Sequence, residues 1–331
     1  MADTRYDVIG VGNAIVDVLS PTEDAFLAAQ GLDKGVMTLI DGARGTELYD
    51  AMGPSVEVSG GSAANTLAGI ASLGGKGAYI GKVRADALGE VFRHDISAIG
   101  VDYRTPPAEG AGEPTARCLI FVTSDAERTM QTCLGVSVEL GTADIDVEAI
   151  QAAQITYLEG YLFDPPEAKK AFIHAAEAAH AVGHQVALSL SDAFCVGRHR
   201  AEFLHLISGH IDILFANEDE IMSLFEVDSF DRALALTRGH CQIAALTRGA
   251  KGSVILDHEE AHEVPAAPAG KVIDTTGAGD LYAAGVLYGL TQGRELPDCA
   301  KIGGLAAAEV IQHYGARPET SLAKLLTASG I

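Results

Sequence analysis

From residue 155 onward the chain alternates short, solidly apolar segments with amphipathic ones, and few folds can accept that pattern. The segments 155–158, 186–190, 211–215 and 242–247 read as strands, and 167–182 (closed by Gly183), 200–207 and 218–225 read as helices. Strands that are apolar along their whole length have no face to offer water. They predict a mostly parallel sheet with helices on both sides, an α/β fold. The opening run 6–12 is another buried strand, ending in glycine. Residues 62–73 form a small-residue helix with a Ser cap and a stop at Gly74-Gly75. Residues 86–99 place Leu88, Phe92, Ile96 and Ile99 on one helical face before Gly100. The segments 34–59 and 115–133 differ: they alternate apolar and polar residues and are rich in glycine and β-branched side chains. They predict a small antiparallel sheet attached to the main body.

At 331 residues the chain could hold two domains, one per roughly 150 residues. It contains no long linker, low-complexity tract or repeat of fixed period. We therefore expect one large α/β domain over 1–331, with a discontinuous β lid drawn from about 14–60 and 102–135. The formal charge of −22 makes nucleic acid and anionic lipid poor partners. An anionic substrate would need a local device that overrides this field. The five cysteines are odd in number, widely spaced and without a C-x-x-C pair, which reads as free thiols in a reducing compartment. No 18-residue apolar stretch occurs, and the opening Met-Ala-Asp-Thr-Arg-Tyr-Asp lacks the basic-then-apolar pattern of a secretion signal. The expectation is a cytoplasmic protein, monomer or homodimer.

The strongest local signal is Asp274-Thr-Thr-Gly-Ala-Gly-Asp280, which opens an apolar helix over 281–290. Gly277, Ala278 and Gly279 leave the first amides of that helix unshielded, and a helix N-terminus carries about half a positive charge. That is an anion site. A carboxylate beside an anion site gains a purpose if it is a base: Asp280 can take a proton from a hydroxyl while the amides hold the phosphate that hydroxyl attacks. Two other phosphate devices are missing. No Gly-Lys is followed by Ser or Thr, so there is no P-loop. Gly10-Val-Gly12 has Ile15 where a dinucleotide fold needs its third glycine. His174, His180 and His184 have metal-like spacing, but Gly183 breaks the helix between the last two and favours a solvated face.

Four motifs in order resemble the ribokinase (PfkB) family of carbohydrate and nucleoside kinases over essentially the whole chain. They are Gly60-Gly-Ser-Ala-Ala-Asn65 continuing through Gly81 to Gly89, Asn217-Glu-Asp-Glu220, Thr247-Arg-Gly-Ala-Lys-Gly252, and the 274–280 heptapeptide. Further stretches resemble the adenosine-phosphorylating branch: Gly12-Asn-Ala-Ile-Val-Asp17, Asp125-Ala-Glu-Arg128, Leu188-Ser-Leu-Ser-Asp-Ala-Phe194 and 211–217. Two departures concern the base pocket. Ala64 stands where that branch has Gln, and Gly160-Tyr-Leu162 where it has G-F-F.

The resemblance implies ATP-dependent phosphorylation of a primary hydroxyl on a ribose-bearing acceptor, adenosine before another nucleoside or a free sugar. It implies that Asn13, Asp17, Gly61 and Asn65 hold the sugar, with Tyr161 and Phe194 on the base and Arg128 in the lid. Asp280 would be the base, with the amides of Gly277, Ala278 and Gly279 at the transferring group. Asn217, Thr247, Gly249 and Gly252 would meet ATP. Asn217 and Glu220 would order the water shell of Mg²⁺, and Asp274 with Thr276 would form a monovalent-cation loop, K⁺ being the ion. The residue types suit these tasks: Asp17 offers two acceptor oxygens to a vicinal diol, and Arg128 a forked donor to phosphate. Asn217-x-x-Glu220 is by itself an ordinary capping box. The rival reading from another class is a nucleotide-binding regulator without catalysis, which has no need of a base at 280.

Overall fold

The computed structural model describes residues 4–125 and 127–331; Met1 to Asp3, and Ala126 in the 125–128 motif, lie outside the described residues. The apolar segments assemble as the pattern requires. Nine strands form one sheet in the order Ala261–Val264, Ser253–Leu256, Ile243–Thr247, Ile213–Asn217, Gln185–Ser189, Ala153–Glu159, Tyr6–Val11, Gly77–Ile80 and Asp102–Tyr103. The first two pairings are antiparallel and the other six parallel. Alternate side chains of one strand feed two separate cores. Val8 packs with Leu67 and Leu281, from helices Ser62–Leu73 and Ala278–Thr291, on one face. Ile9 packs with Phe172 and Phe203, from helices Pro166–His180 and Ala193–His210, on the other.

A second sheet of five strands runs in the order Met37–Leu39, Arg128–Cys133, Ala116–Val122, Ile15–Pro21 and Val56–Gly60. It is mixed, not purely antiparallel: Ile15–Pro21 pairs parallel with Ala116–Val122, and Met37–Leu39 parallel with Arg128–Cys133. Parallel neighbours need crossovers, and two helices absent from the sequence reading, Asp24–Gln30 and Gly42–Ala51, lie in the connections. The span Ala193–His210 is broken at His199, whose φ of −123° and ψ of 24° are non-helical. The part beyond it holds the helix expected at 200–207. The short helical stretch before it, absent from the sequence reading, is capped by Asp192, which accepts from the Cys195 amide at 2.8 Å. No helix among the described residues is long and apolar enough to cross a membrane. All five cysteines are buried and unpaired.

Candidate active site

In an open parallel sheet, ligands collect beyond the carboxyl ends of the strands. Here Tyr161, Ser189, Asn217 and Thr247, at or just past four such ends, line a cavity of about 470 Å³. The second sheet supplies the opposite wall through Asp17, Cys118, Ile120, Arg128, Met130 and Thr132.

The floor is the 277–280 turn. Gly277 has φ +79°, and a Cβ there would meet the Cα, Cβ and carbonyl oxygen of Ala316 at 2.7–2.8 Å, so only glycine fits. Gly279 is different: its φ lies outside the left-handed region, and a Cβ there would meet no protein atom within 4 Å. The Ala278 amide donates back to the Thr275 carbonyl at 3.2 Å, contrary to the expectation that it faces a phosphate. Among the described residues the amides of Gly277 and Gly279 have no hydrogen-bond partner, and both residues line the cavity. Two free amides at a helix N-terminus are what the binding of an anion requires.

Asp280 sits one residue further on, its carboxylate clamped from the Ser62–Leu73 helix. Ser62 Oγ donates to Oδ1 at 2.6 Å and Asn65 Nδ2 to Oδ2 at 3.0 Å. Ser62 is therefore not the helix cap expected from sequence. Gly61 holds that position at φ +94°, where a Cβ would lie 2.3 Å from the Asn13 carbonyl oxygen, and the Ser62 hydroxyl is spent on Asp280 instead. Burial raises the Asp280 pKa, the two hydrogen bonds oppose it, and the net shift is upward. A raised pKa makes the carboxylate a stronger base.

Asp17 faces the same cavity, and among the described residues its carboxylate takes no hydrogen bond from the protein. Burial pushes its pKa up to about 6, with Arg317 and Arg128 pulling down and Asp280 pushing up. Two free acceptor oxygens in a buried place call for a donor pair from a ligand.

Several expected residues are placed elsewhere. Asn13 is 1% exposed and satisfied by the protein at both ends: Nδ2 donates to Glu159 at 2.8 Å and Oδ1 accepts from Ser137 at 3.0 Å. It braces the site and does not line it. Phe194 is 80% exposed and off the cavity wall, whereas Tyr161 lines it. Gly249 and Gly252 form the turn after Thr247 without lining the cavity. Glu159, which sequence reasoning missed, is 1% exposed and holds the start of the Ser62–Leu73 helix through the Ala63 amide at 2.9 Å. Burial pushes its pKa to about 7 against those hydrogen bonds.

Arg128 reaches across from the second sheet to Asp274 and, at 3.4 Å, to Thr276 Oγ1. Asp274 also accepts from the Thr276 amide and hydroxyl at 3.0 and 2.7 Å and from the Gly315 amide at 3.1 Å. Burial pushes Asp274 up, but these donors and the Arg128 charge hold it below the usual carboxylate range. Every direction of approach to that carboxylate is taken by a donor. The Asp274–Thr276 pair in this arrangement does not fit a monovalent cation. Asn217 and Glu220 do form the capping box, with Nδ2 to Oε1 at 2.6 Å and the Asn217 amide to Oε2 at 3.0 Å, and both line the cavity. Among the described residues no cluster of three or more metal-ligating side chains occurs. A lone buried Glu beside an amide oxygen suits a Mg²⁺ that is held by phosphates and touched by the protein through water.

A kinase that works on hydroxyl groups is the class this fold and cavity define. The model of the pfkB family carbohydrate kinases matches residues 48–322, and the chain belongs to that family. Two solved structures are similar at 52% identity. One is a probable sugar kinase from Rhizobium etli, with a TM-score of 0.91 over 99% of both chains. The other is the adenosine kinase from Sinorhizobium meliloti, with a TM-score of 0.90 over 98% of this chain and 99% of that one. The adenosine kinase of Saccharomyces cerevisiae is 25% identical over 93% of this chain and 95% of its own. The protein is a phosphotransferase with an alcohol group as acceptor, an adenosine kinase or sugar kinase of its family.

Proposed function

We propose that the protein transfers the γ-phosphoryl group of ATP to the 5′-hydroxyl of a ribonucleoside, adenosine first, giving AMP and ADP. The observation that carries this reading is the pairing of a clamped, cavity-facing Asp280 with free amides of Gly277 and Gly279, opposite an unpartnered Asp17. Asp17 accepts the 2′- and 3′-hydroxyls and so aims the 5′-oxygen. Asp280 accepts the proton of that hydroxyl as its oxygen bonds to the γ-phosphorus and the bond to ADP breaks. The amides hold the equatorial oxygens of the transferring group. When bound with ATP, Mg²⁺ would neutralise charge on the β- and γ-phosphates. Asn217 and Glu220 are placed to hold its water, and Thr247 lies on the nucleotide side of the cavity. Tyr161 packs against the base. The second sheet acts as a lid of a single kinase domain, excluding water that would otherwise hydrolyse ATP. The five buried, unpaired thiols support a cytoplasmic setting.

Acceptor choice rests on Asp17 and is separable from phosphotransfer. A charged hydrogen bond contributes about 1.5–3 kcal/mol. Adenosine is expected to be preferred over 2′-deoxyadenosine by about 10- to 150-fold in kcat/KM, each 1.4 kcal/mol being about a factor of ten. In Asp17→Ala most of that preference is lost and both nucleosides are poor. The second reading, a free-sugar acceptor, is favoured by Phe194 lying off the cavity wall, since it removes one aromatic surface from the base. Initial rates on adenosine, 2′-deoxyadenosine and ribose with Mg-ATP decide between them: ribose outperforming adenosine overturns the nucleoside assignment.

A further inference from the structure

Two carboxylates, Asp17 and Asp280, face one cavity, and burial disfavours the charge on both. Keeping both ionised requires a cation close by. Arg128 is the obvious one, but its guanidinium is committed to Asp274. The remaining cation is Arg317, which no motif marks.

Arg317 enters from the segment that also backs the phosphate turn. Its neighbour Ala316 packs on Gly277, and the Gly315 amide donates to Asp274 at 3.1 Å. Arg317 Nη1 donates to Ser59 Oγ at 2.7 Å. Ser59 lies on the strand Val56–Gly60, opposite Val16 on the strand that carries Asp17. A Cβ on Gly60, the next residue, would come within 2.5–2.9 Å of all three atoms of the Asp17 carboxyl group, so that group lies against Gly60. Arg317 is therefore anchored one residue from the backbone on which Asp17 rests. Its Nε and Nη2 atoms are buried and, among the described residues, have no hydrogen-bond partner, and no carboxylate stands within 4.0 Å of the guanidinium. A buried guanidinium without a direct ion-pair partner is costly unless a charge nearby offsets it. The groups that act on it are Asp17 first, then Asp95 and Tyr79. Those that act on Asp17 are Arg317, Arg128 and Asp280, with the Cys118 thiol beside it.

We propose that Arg317 is the counter-ion of Asp17: a positioning residue that keeps this carboxylate charged and available to the acceptor hydroxyls. The role rests on the reading of Asp17 given above. Arginine suits it because a guanidinium does not lose its proton inside a protein, whereas a buried lysine does. Without it, Asp17 stays protonated to higher pH, and acceptor binding weakens while ATP binding does not.

The test is the pH dependence of the adenosine KM, from pH 5 to 9, in the wild-type enzyme and in Arg317→Gln. The limb over which KM rises on acidification is expected to move up by about one pH unit. With the wild-type limb near pH 6, the variant then has a KM about twofold above wild type at pH 7 and about ninefold above it at pH 5, recovered by pH 9, with the ATP KM within about twofold of wild type. An unmoved limb in a folded variant overturns the role. Should Arg317→Gln not fold, the proposal requires that Asp17→Asn restore folding, since removing the carboxylate removes the need for its counter-ion. A double variant as unstable as the single one overturns it equally. The Asp17→Asn variant alone separates the two levels of the argument. An adenosine KM unchanged there contradicts the reading of Asp17 itself, whereas a raised KM with an unmoved Arg317→Gln limb contradicts only Arg317.

Discussion

Asp280→Asn is expected to lower kcat by about 10²–10⁴-fold, the range typical of removing a general base, while the KM for adenosine changes little. The clamp around residue 280 explains why the variant should fold. Asn65 Nδ2 can still donate to the one remaining oxygen, and the Ser62 hydroxyl can rotate from donor to acceptor for the new amide group. What disappears is the capacity to take a proton. The raised pKa of Asp280 adds a pH signature: wild-type turnover falls on acidification through the pKa of this group, and the residual rate of the variant lacks that limb. A folded variant retaining half of wild-type turnover contradicts the assignment of the base.

The phosphate turn yields the second large effect, and the two glycines are expected to fail differently. Gly277→Ala places a Cβ against Ala316 at a φ of +79°, so it costs stability as well as turnover. Gly279→Val adds a side chain that meets no protein atom at its Cβ and requires no left-handed backbone. Its thermal transition should match wild type, yet its β-branched side chain stands where phosphate oxygens approach the amide. Turnover is expected to drop on the order of 10²-fold, as when a preorganised donor is lost. Calorimetry and ATP kinetics on the pair check this. Gly279→Val with unchanged ATP kinetics would mean that the phosphate binds elsewhere.

Much of this architecture is legible in the sequence because the large sheet is buried on both faces. Segments such as 186–190 and 211–215 are apolar without interruption, and few other structures tolerate that. The second sheet is less legible. Gly42-Ala-Arg-Gly45 opens a helix with two residues of poor helix propensity, so only Asp41, which accepts from the Arg44 amide at 2.8 Å, signals it. Side-chain alternation marked the segments around it as strands but carried no information on whether neighbours run parallel.

At the site, short-range motifs identified what lies within one turn or one strand end. Gly277, Gly279 and Asp280 sit together because they are adjacent in the chain. Asn217 and Glu220 meet because a capping box is local. The residues that were missed act across long separations. Ser62 reaches Asp280 over 218 positions, Asn13 reaches Glu159 over 146, and Arg317 reaches Ser59 over 258. No periodicity or spacing encodes such contacts. The exposure of Phe194 is the complementary lesson: a motif can place a residue near a site without turning its side chain inward.

The most direct measurement is product analysis of the full-length protein incubated with Mg-ATP and adenosine, by phosphorus NMR and mass spectrometry. The account predicts AMP phosphorylated at the 5′ position, one ADP formed for each AMP, and no ADP above background when adenosine is omitted. ADP formed equally with and without adenosine, or a phosphorylated free sugar with adenosine left intact, would contradict it.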